Sequence, residues 1–330
     1  MSFGTKIIGT GSGLPSRVMH NAELETFLDT SDEWIRTRTG IETRRIANPE
    51  KGETSFTMAR QAAEQALEMA GRKGSDLDAI IVGTITPDTV MPNTANQLQA
   101  VLGASRAFSF DLQAACSGFA YGMSIIDQYM RLGTIRTALV IGVETLSTLV
   151  DWRDRSTAVL FGDAAGAVVF ERTEDPDHRV IDTRIFSDGR LGELLCIPHG
   201  FGKVPPYRPE YQLHMHKIKM RGNEVFKVAV RNMVDASKKI MQAHKISKDD
   251  IDLFIFHQAN LRIIDSCAES LNIDKRKLWL NVQKYGNTSA ATLPVSLDEA
   301  WRSGTVKQGD LILMATFGGG LTWASALIRL

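Results

Sequence analysis

The sequence predicts a duplicated α/β fold built on sheets buried on both faces. Continuous apolar runs such as Ala79-Ile80-Ile81-Val82-Gly83 and the stretch from Thr137 to Val143 have the composition of strands covered on both sides. Helical patterns lie between such runs, which implies parallel strands with helices on either face. The same order of helix, acidic tripeptide and buried strand also occurs twice. Asp76-Leu77-Asp78 precedes the strand at Ala79, and 174 residues later Asp250-Ile251-Asp252 precedes Leu253-Phe254-Ile255-Phe256. A second echo, of Phe110-Asp111-Leu112-Gln113 in Leu280-Asn281-Val282-Gln283, keeps nearly the same offset at 170 residues. Residues 1–175 and 176–330 are therefore expected to be two related halves.

Length and composition fit that reading. The chain has 330 residues, enough for two ordinary domains, and is 43% hydrophobic. Lys plus Arg equals Asp plus Glu at 38 each, so no global charge draws the chain to nucleic acid or to a membrane surface. The three cysteines, Cys116, Cys196 and Cys267, form neither a disulfide framework nor a metal-ligand spacing. Neither a signal-peptide pattern nor a membrane-length apolar run is evident, so a cytoplasmic protein of a reducing compartment is expected.

The elements follow in order. Lys6-Ile7-Ile8-Gly9 reads as a short strand, and Gly9, Gly11 and Gly13 as a glycine-rich turn. The dinucleotide fingerprint is rejected, because its third glycine has another spacing and a helix must follow, whereas Leu14-Pro15-Ser16 comes next. Thr30-Ser31-Asp32-Glu33-Trp34-Ile35 carries a helix start, with Ser31 or Thr30 as cap and acids in the first turn. Arg36, Arg38, Arg44 and Arg45 follow; with Trp34 they form either a solvated basic face or a seat for a phosphate-rich ligand with an aromatic base. Ser55 to Gly71 and Asn93 to Leu102 are helical. The glycines and alanines from Phe161 to Phe170 predict strands in close approach to other backbone. Gly200 to Lys217, with three prolines, is an irregular excursion; His214 and His216 there lack a third metal ligand. Val225 to His244 is an amphipathic helix, and Leu311 to Phe317 a strand ending at Gly318-Gly319-Gly320.

Cys116 occupies the position with the most chemical meaning. Ala107 to Phe110 ends a strand, while Phe119, Met123, Ile126 and Met130 recur at helical spacing. The cysteine thus lies where a strand turns into a helix, and unpaired N–H groups and the macrodipole there favour a thiolate, the nucleophilic form. Free cysteines are more often simply buried. Here, however, His257 ends one strand and Asn287 follows another, and ligands in open α/β sheets lie at the carboxyl ends of strands.

Several motifs now add up. They are Thr30 to Ile35 with Thr37-Arg38-Thr39-Gly40-Ile41, the Cys116 segment, Phe161-Gly162-Asp163, Gly222-Asn223-Glu224-Val225-Phe226, His257-Gln258-Ala259-Asn260, Tyr285-Gly286-Asn287-Thr288-Ser289 and the terminal glycines. In this order, and over nearly the whole chain, the sequence resembles the thiolase-fold condensing enzymes, most closely the beta-ketoacyl-acyl-carrier-protein synthase III family. The resemblance implies a thiolase-like fold layered α-β-α-β-α, with two mixed sheets around buried helices. It implies a homodimeric acyltransferase that initiates fatty acid synthesis or, alternatively, a related condensing enzyme of specialised metabolism using another acyl donor, with no cofactor, since acyl-coenzyme A is a substrate.

What the family's residues do carries over by position. Cys116, His257 and Asn287 would form the catalytic triad. Cys116 would take the acyl group from acyl-coenzyme A; malonyl on acyl carrier protein would then lose carbon dioxide and attack it. The backbone N–H groups of Cys116 and Gly319 would form the oxyanion hole. Thr30, Trp34, Arg38, Arg155, Asn260 and Arg262 would contact coenzyme A, with its adenine between Trp34 and Arg155. Lys227 and Arg262 would dock the carrier protein, beside the acidic Asp265 and Glu269. Met91 and Phe317 would belong to the acyl pocket, Met91 reaching across the dimer interface. Methionine is flexible there, so primers longer than acetyl are expected.

Rival chemistries fit less well. A cysteine protease would need other residues around Cys116 and leaves the duplication unexplained. A thiolase needs a second cysteine near the last glycines. Elongating condensing enzymes place a histidine where Asn287 stands. A non-catalytic binding module would not need three polar residues at strand ends.

Overall fold

The computed structural model describes residues 3–330 apart from 176, 178, 201 and 203–215, so most of the 200–217 excursion, His214 included, lies outside the described residues. The first sheet holds β1 (Gly4–Gly13), β4 (Ala79–Gly83), β5 (Phe108–Leu112), β6 (Thr137–Thr145) and β7 (Asp163–Thr173) in the order β1-β7-β6-β4-β5. Strands β5, β4 and β6 are parallel; β7 and β1 run antiparallel to their neighbours. The second sheet holds β8 (Arg179–Ser187), β11 (Leu253–Phe256), β12 (Leu311–Gly318) and β13 (Thr322–Arg329), in the order β11-β12-β13-β8. It repeats the pattern, with β11 and β12 parallel and the other two antiparallel. Both sheets are mixed. Short pairs β2 (Arg17–His20) with β3 (Thr43–Ile46), and β9 (Leu195–Cys196) with β10 (Lys219–Met220), lie outside them.

Helices make the other three layers. α5 (Gly118–Arg131) and α10 (Thr292–Arg302) lie between the sheets, where Phe119, Met123, Ile126, Leu293 and Leu297 pack against Ile81, Val140, Ile255, Ile312 and Met314. α3 (Ser55–Ala70) and α4 (Thr94–Val101) cover the outer face of the first sheet, against Ile80, Val82, Leu139 and Ile141. α7 (Gly222–Ala243) and α8 (Leu261–Leu271) cover the outer face of the second, against Phe254, Phe256, Leu311 and Leu313. Alternate residues of each central strand thus enter different cores, as period-2 geometry requires. The remaining helices are short: α1 (Asn21–Glu25), α2 (Asp32–Thr39), α6 (Arg155–Ala158) and α9 (Val282–Tyr285). No helix among the described residues is long and apolar enough to cross a membrane.

Two local expectations are corrected. Gly9, Gly11 and Gly13 are not a turn; β1 runs through them. A Cβ at each would come within 2.3, 2.3 and 2.1 Å of the α3 carbonyls of Ala66, Ala62 and Met58, so the alternate glycines are a groove for that helix. The echo at Leu280 to Gln283 is not a regular strand. Only a single bridge, Leu278 to Phe254, stands where β5 pairs with β4 in the first sheet. Gln258 takes the ladder's place: its Oε1 accepts from the N–H groups of Asn281 and Val282, and its Nε2 donates to the carbonyl of Trp279. The close approach predicted near Phe161 to Phe170 is present: a Cβ at Gly162 would lie 2.3 Å from the Tyr285 carbonyl, and one at Gly166 2.7 Å from the Val295 nitrogen.

Candidate active site

The nucleophile segment is held between the two halves by backbone. Cys116 lies in a 3-10 turn, Ala115–Ser117, directly before α5, and Ala115 adopts φ +47°. Thr316 Oγ donates to the Cys116 carbonyl at 3.1 Å, and Thr322 Oγ to the Ala114 carbonyl at 2.8 Å. The end of β12 and the start of β13 therefore clamp the cysteine segment. Gly318 must be glycine here, because a Cβ would lie 2.9 Å from the Cys116 nitrogen. The backbone N–H groups of Gly319 and of Cys116 itself favour the anionic form of the sulfur. They are the two N–H groups that the family resemblance assigns to the oxyanion hole.

His257 continues from β11, its N–H bonded to the Ala315 carbonyl at 2.8 Å, and it is 3% exposed. Burial pushes its imidazole down to about 3, so it is neutral. Its Nδ1 has no hydrogen-bond partner among the described residues. Asn287 sits in a bridge to Phe161, with its N–H on the Leu160 carbonyl at 2.8 Å. Gly286 before it has φ +63°, where a Cβ would strike the Leu160 carbonyl at 2.6 Å. Asn287 Oδ1 accepts from the Ser289 N–H at 2.9 Å, which leaves its Nδ2 as the end free to donate.

These three residues meet on one cavity of about 320 Å³, lined also by Trp34, Arg38, Phe226, Asn260, Arg262 and Phe317. A second cavity, of about 380 Å³, lies on the other side of Cys116. Ile85, Leu146, Phe161, Leu195, Ile197 and Ile218 make most of its apolar wall. Cys116, Phe161 and Leu195 line both, so the sulfur stands where the two spaces join.

The remaining predicted residues fall as follows. Trp34 stacks with Arg155 at 4.8 Å and lies 5.9 Å from Arg38. A flat base between Trp34 and Arg155 needs two contacts of about 3.5 Å, about 7 Å in all, so the guanidinium has to swing aside to admit one. Arg155 is held by the Asp29 carbonyl at 2.5 Å. Thr30 Oγ is buried without a partner among the described residues. Asn260 caps α8 and donates to the Arg38 carbonyl at 3.3 Å. Arg262 lies 5.8 Å over Phe226, and Lys227 is exposed on the neighbouring helix.

The two residues expected at the acyl pocket lie outside the second cavity of this chain. Phe317 lines the first cavity and not the second: it alternates on β12 with Thr316, which points at Cys116. Met91 is 87% exposed and lines neither cavity of its own chain, because the Thr89–Pro92 segment turns outward, tied by Thr89 Oγ to the Pro92 carbonyl. Sequence reasoning missed the second cavity's wall and two polar residues behind Cys116, Glu144 and Ser289. Glu144 had a visible signal: an acid placed directly after a continuous apolar strand.

The helix-end expectation for Cys116 is also incomplete. Burial pushes the thiol up to about 11, and the negative Glu144 adds to this, against the Ser289, Gly319 and Cys116 hydrogen-bond donors. In the resting chain desolvation outweighs the helix end.

Known proteins match this chain along its length. The family description "3-Oxoacyl-[acyl-carrier-protein (ACP)] synthase III" matches residues 110–189, and its C-terminal counterpart matches residues 241–330. The Beta-ketoacyl-[acyl-carrier-protein] synthase III of Alkalilimnicola ehrlichii is 50% identical, with all of both chains covered. The crystal structure of 3-oxoacyl-[acyl-carrier-protein] synthase III from Aquifex aeolicus VF5 superposes with TM-score 0.91 at 48% identity, covering 99% of this chain and all of that one. The priming beta-ketosynthase of the R1128 polyketide pathway gives 0.93 at 34% identity, covering all of this chain and 97% of its own. With identity this high over the full length, the chain belongs to the beta-ketoacyl-[acyl-carrier-protein] synthase III family of condensing acyltransferases.

Proposed function

We propose that this enzyme joins an acyl-coenzyme A primer to malonyl-acyl carrier protein, with loss of carbon dioxide, and so starts fatty acid synthesis. The observation that carries the reading is the meeting of Cys116, His257 and Asn287 on a single cavity, with a second, apolar cavity behind the sulfur. The first cavity is the entry for the pantetheine arm, with Trp34, Arg38, Arg155, Asn260, Arg262 and Thr30 around the coenzyme A. The second receives the acyl chain.

Chemistry follows from the geometry. The Cys116 sulfur attacks the thioester and holds the acyl group, dividing one difficult exchange into two. The N–H groups of Cys116 and Gly319 stabilise the oxyanion. Malonyl-acyl carrier protein then enters by the same cavity, with Lys227 and Arg262 at its rim for the acidic carrier. Decarboxylation puts negative charge on the malonyl thioester oxygen. Neutral His257 and the Nδ2 of Asn287 donate to it, and the carbanion attacks the acyl carbonyl. A cytoplasmic homodimer, with Met91 reaching into the partner, belongs to the same reading, as does the division into halves at residue 175. The repeated strand order of the two sheets supports that division. Identity of 50% to a fatty acid initiating family, against 34% to the polyketide priming enzyme, favours fatty acid synthesis.

Intact-protein mass spectrometry after treatment with acyl-coenzyme A tests the reading. We expect one acyl adduct, lost in Cys116→Ala, and its discharge by malonyl-acyl carrier protein. A protein that never takes up the acyl group is not this enzyme.

A further inference from the structure

Behind Cys116 lies a buried acid that the steps above do not use. Glu144 is the penultimate residue of β6 and is 0% exposed. Its carboxylate is surrounded by donors: Thr86 Oγ at 2.6 Å, the Ile85 N–H at 3.1 Å, Ser289 Oγ at 3.1 Å and Thr84 Oγ at 3.4 Å. No cation is among these contacts, and an uncompensated buried carboxylate is costly unless something requires it. Ser289 lines the second cavity together with Cys116, and its hydroxyl favours the anionic form of the sulfur. It holds an unusual backbone, φ +51°, with its N–H fixed on Asn287. A serine hydroxyl both accepts and donates, so it can join a thiol to a carboxylate.

We propose that Glu144, acting through Ser289, is the positioning residue that receives the Cys116 proton as the sulfur attacks and returns it when the sulfur is released. This rests on the reading of Cys116 as the nucleophile. As the bond from Sγ to the acyl carbon forms, the thiol proton passes to Ser289 Oγ, and the Ser289 hydroxyl proton passes to Glu144 Oε1. The coenzyme A thiolate leaves and takes its proton from solvent. Glu144 stays neutral while the acyl group is on the enzyme. When the carbanion has added and the Cys116 thiolate is expelled, the same two transfers run backwards and restore the thiol. The only proton drawn from outside is the one on free coenzyme A.

The surroundings suit such a role. Burial raises Glu144 to about 7, opposed by its hydrogen bonds from Thr86, Ile85, Ser289 and Thr84, so it is a base matched to neutral pH. The groups facing it from the neighbouring elements are Thr84 and Thr86 after β4, Ala164 opposite on β7, and Cys116 and Ser289. Asp163, the next residue on β7, alternates to the opposite face, where Ser147 and the Ala47 N–H hold it. His257 is already neutral well below this range. Within the neutral window, Glu144 is therefore the group that sets the pH response of the sulfur.

The test is the rate of Cys116 alkylation by iodoacetamide, read by intact mass from about pH 5.5 to 9.5, in the wild type, Glu144→Gln and Ser289→Ala, with each variant's melting temperature recorded. The wild-type rate should rise and then level off above an inflection near neutrality. Both variants should lose the plateau, climb about tenfold per pH unit, and lag the wild type by about 100-fold near pH 7.5. Folded variants that keep the wild-type inflection, with rates merely scaled, overturn the relay and leave Glu144 a structural hub. If Glu144→Gln does not fold, Ser289→Ala decides alone. Alkylation needs no acyl substrate, so the relay is judged separately from the acyl-adduct experiment, whose failure would sink the function instead.

Discussion

Asn287 donates to the cavity because Ser289 occupies its other end. The Ser289 N–H fixes Oδ1 at 2.9 Å, and the amide cannot flip without leaving that N–H unpaired in a buried turn. This orientation separates the two half-reactions. On the proposed mechanism, acyl transfer to Cys116 relies on the backbone N–H groups of Cys116 and Gly319, and decarboxylation on His257 and Asn287. Asn287→Asp keeps the acceptor for Ser289 but puts a negative oxygen where the donor stood. We expect malonyl decarboxylation and condensation to fall by about 100- to 1,000-fold, with the acyl adduct still forming at near the wild-type rate. Parallel measurement of adduct formation by mass and of carbon dioxide release checks this; an equal loss in both would assign Asn287 a merely structural part. Trp34 and Arg155 make a related point about single residues. An aromatic face at Trp34 beside arginines was legible from the residues, and the family resemblance added Arg155; their 4.8 Å separation was not legible, since sequence does not say which rotamer the substrate-free chain prefers.

At the scale of elements, the site depends on strands and turns that approach without side chains between them. Gly142 on β6 faces the turn at Ser289–Ala291, and a Cβ there would lie 2.1 Å from the Ala290 carbonyl. Gly83 on β4 faces Gly118 at the start of α5, where a Cβ would lie 2.7 Å from the Gly118 carbonyl carbon. These approaches hold the turn of Asn287 and the turn of Cys116 against one sheet. Gly142→Ala must push the 289–291 turn away from β6. We expect a loss of about 1–3 kcal/mol in stability and a larger proportional loss of condensation than of overall fold. Denaturant midpoint and turnover, measured together, check this; unchanged values for both would mean the turn yields freely. The elements themselves were largely readable. Buried strands, amphipathic helices and the helix start at Ser31 follow from periodicity and capping, which are local. The glycines of β1 were misread as a turn because their partner is α3, some fifty residues away, and no local signal reports a helix groove. The missing second-half strand at Leu280 was hidden for the same reason: Gln258, a side chain distant in sequence, replaces the ladder bonds.

At the scale of the whole molecule, the two sheets share one strand order and place their inner helices back to back, so the strand ends of both converge on a single region. The duplication read from Asp76 and Asp250 was enough to expect that convergence, and with it the meeting of Cys116, His257 and Asn287. It was not enough to give the shape of the space behind the sulfur, whose wall draws on the ends of β4 and β6, on β9 and on the chain entering β10. On the proposed reading, that space decides which primer fits. Its volume is about 380 Å³. An acetyl group has three heavy atoms and needs roughly 90 Å³, at about 30 Å³ for each water-sized group. The apolar residues around the remainder, Ile85, Leu146, Ile197 and Ile218, stabilise methylene groups at about 0.8 kcal/mol each when these leave water. Octanoyl-coenzyme A should therefore be used as well as or better than acetyl-coenzyme A, on grounds of this wall as well as of the flexible Met91. Ile85→Trp narrows the space while keeping the backbone N–H that Glu144 accepts from. In this variant the ratio of octanoyl to acetyl kcat/KM should fall by about tenfold or more, with acetyl turnover retained, since a lost fit of two or three methylenes, at about 0.8 kcal/mol each, is worth about 2 kcal/mol. Competition between the two primers, scored by adduct mass on Cys116, gives the ratio directly. A wild-type enzyme that takes only acetyl, or a variant that leaves the ratio where it was, would show that the apolar space behind the sulfur does not hold the primer.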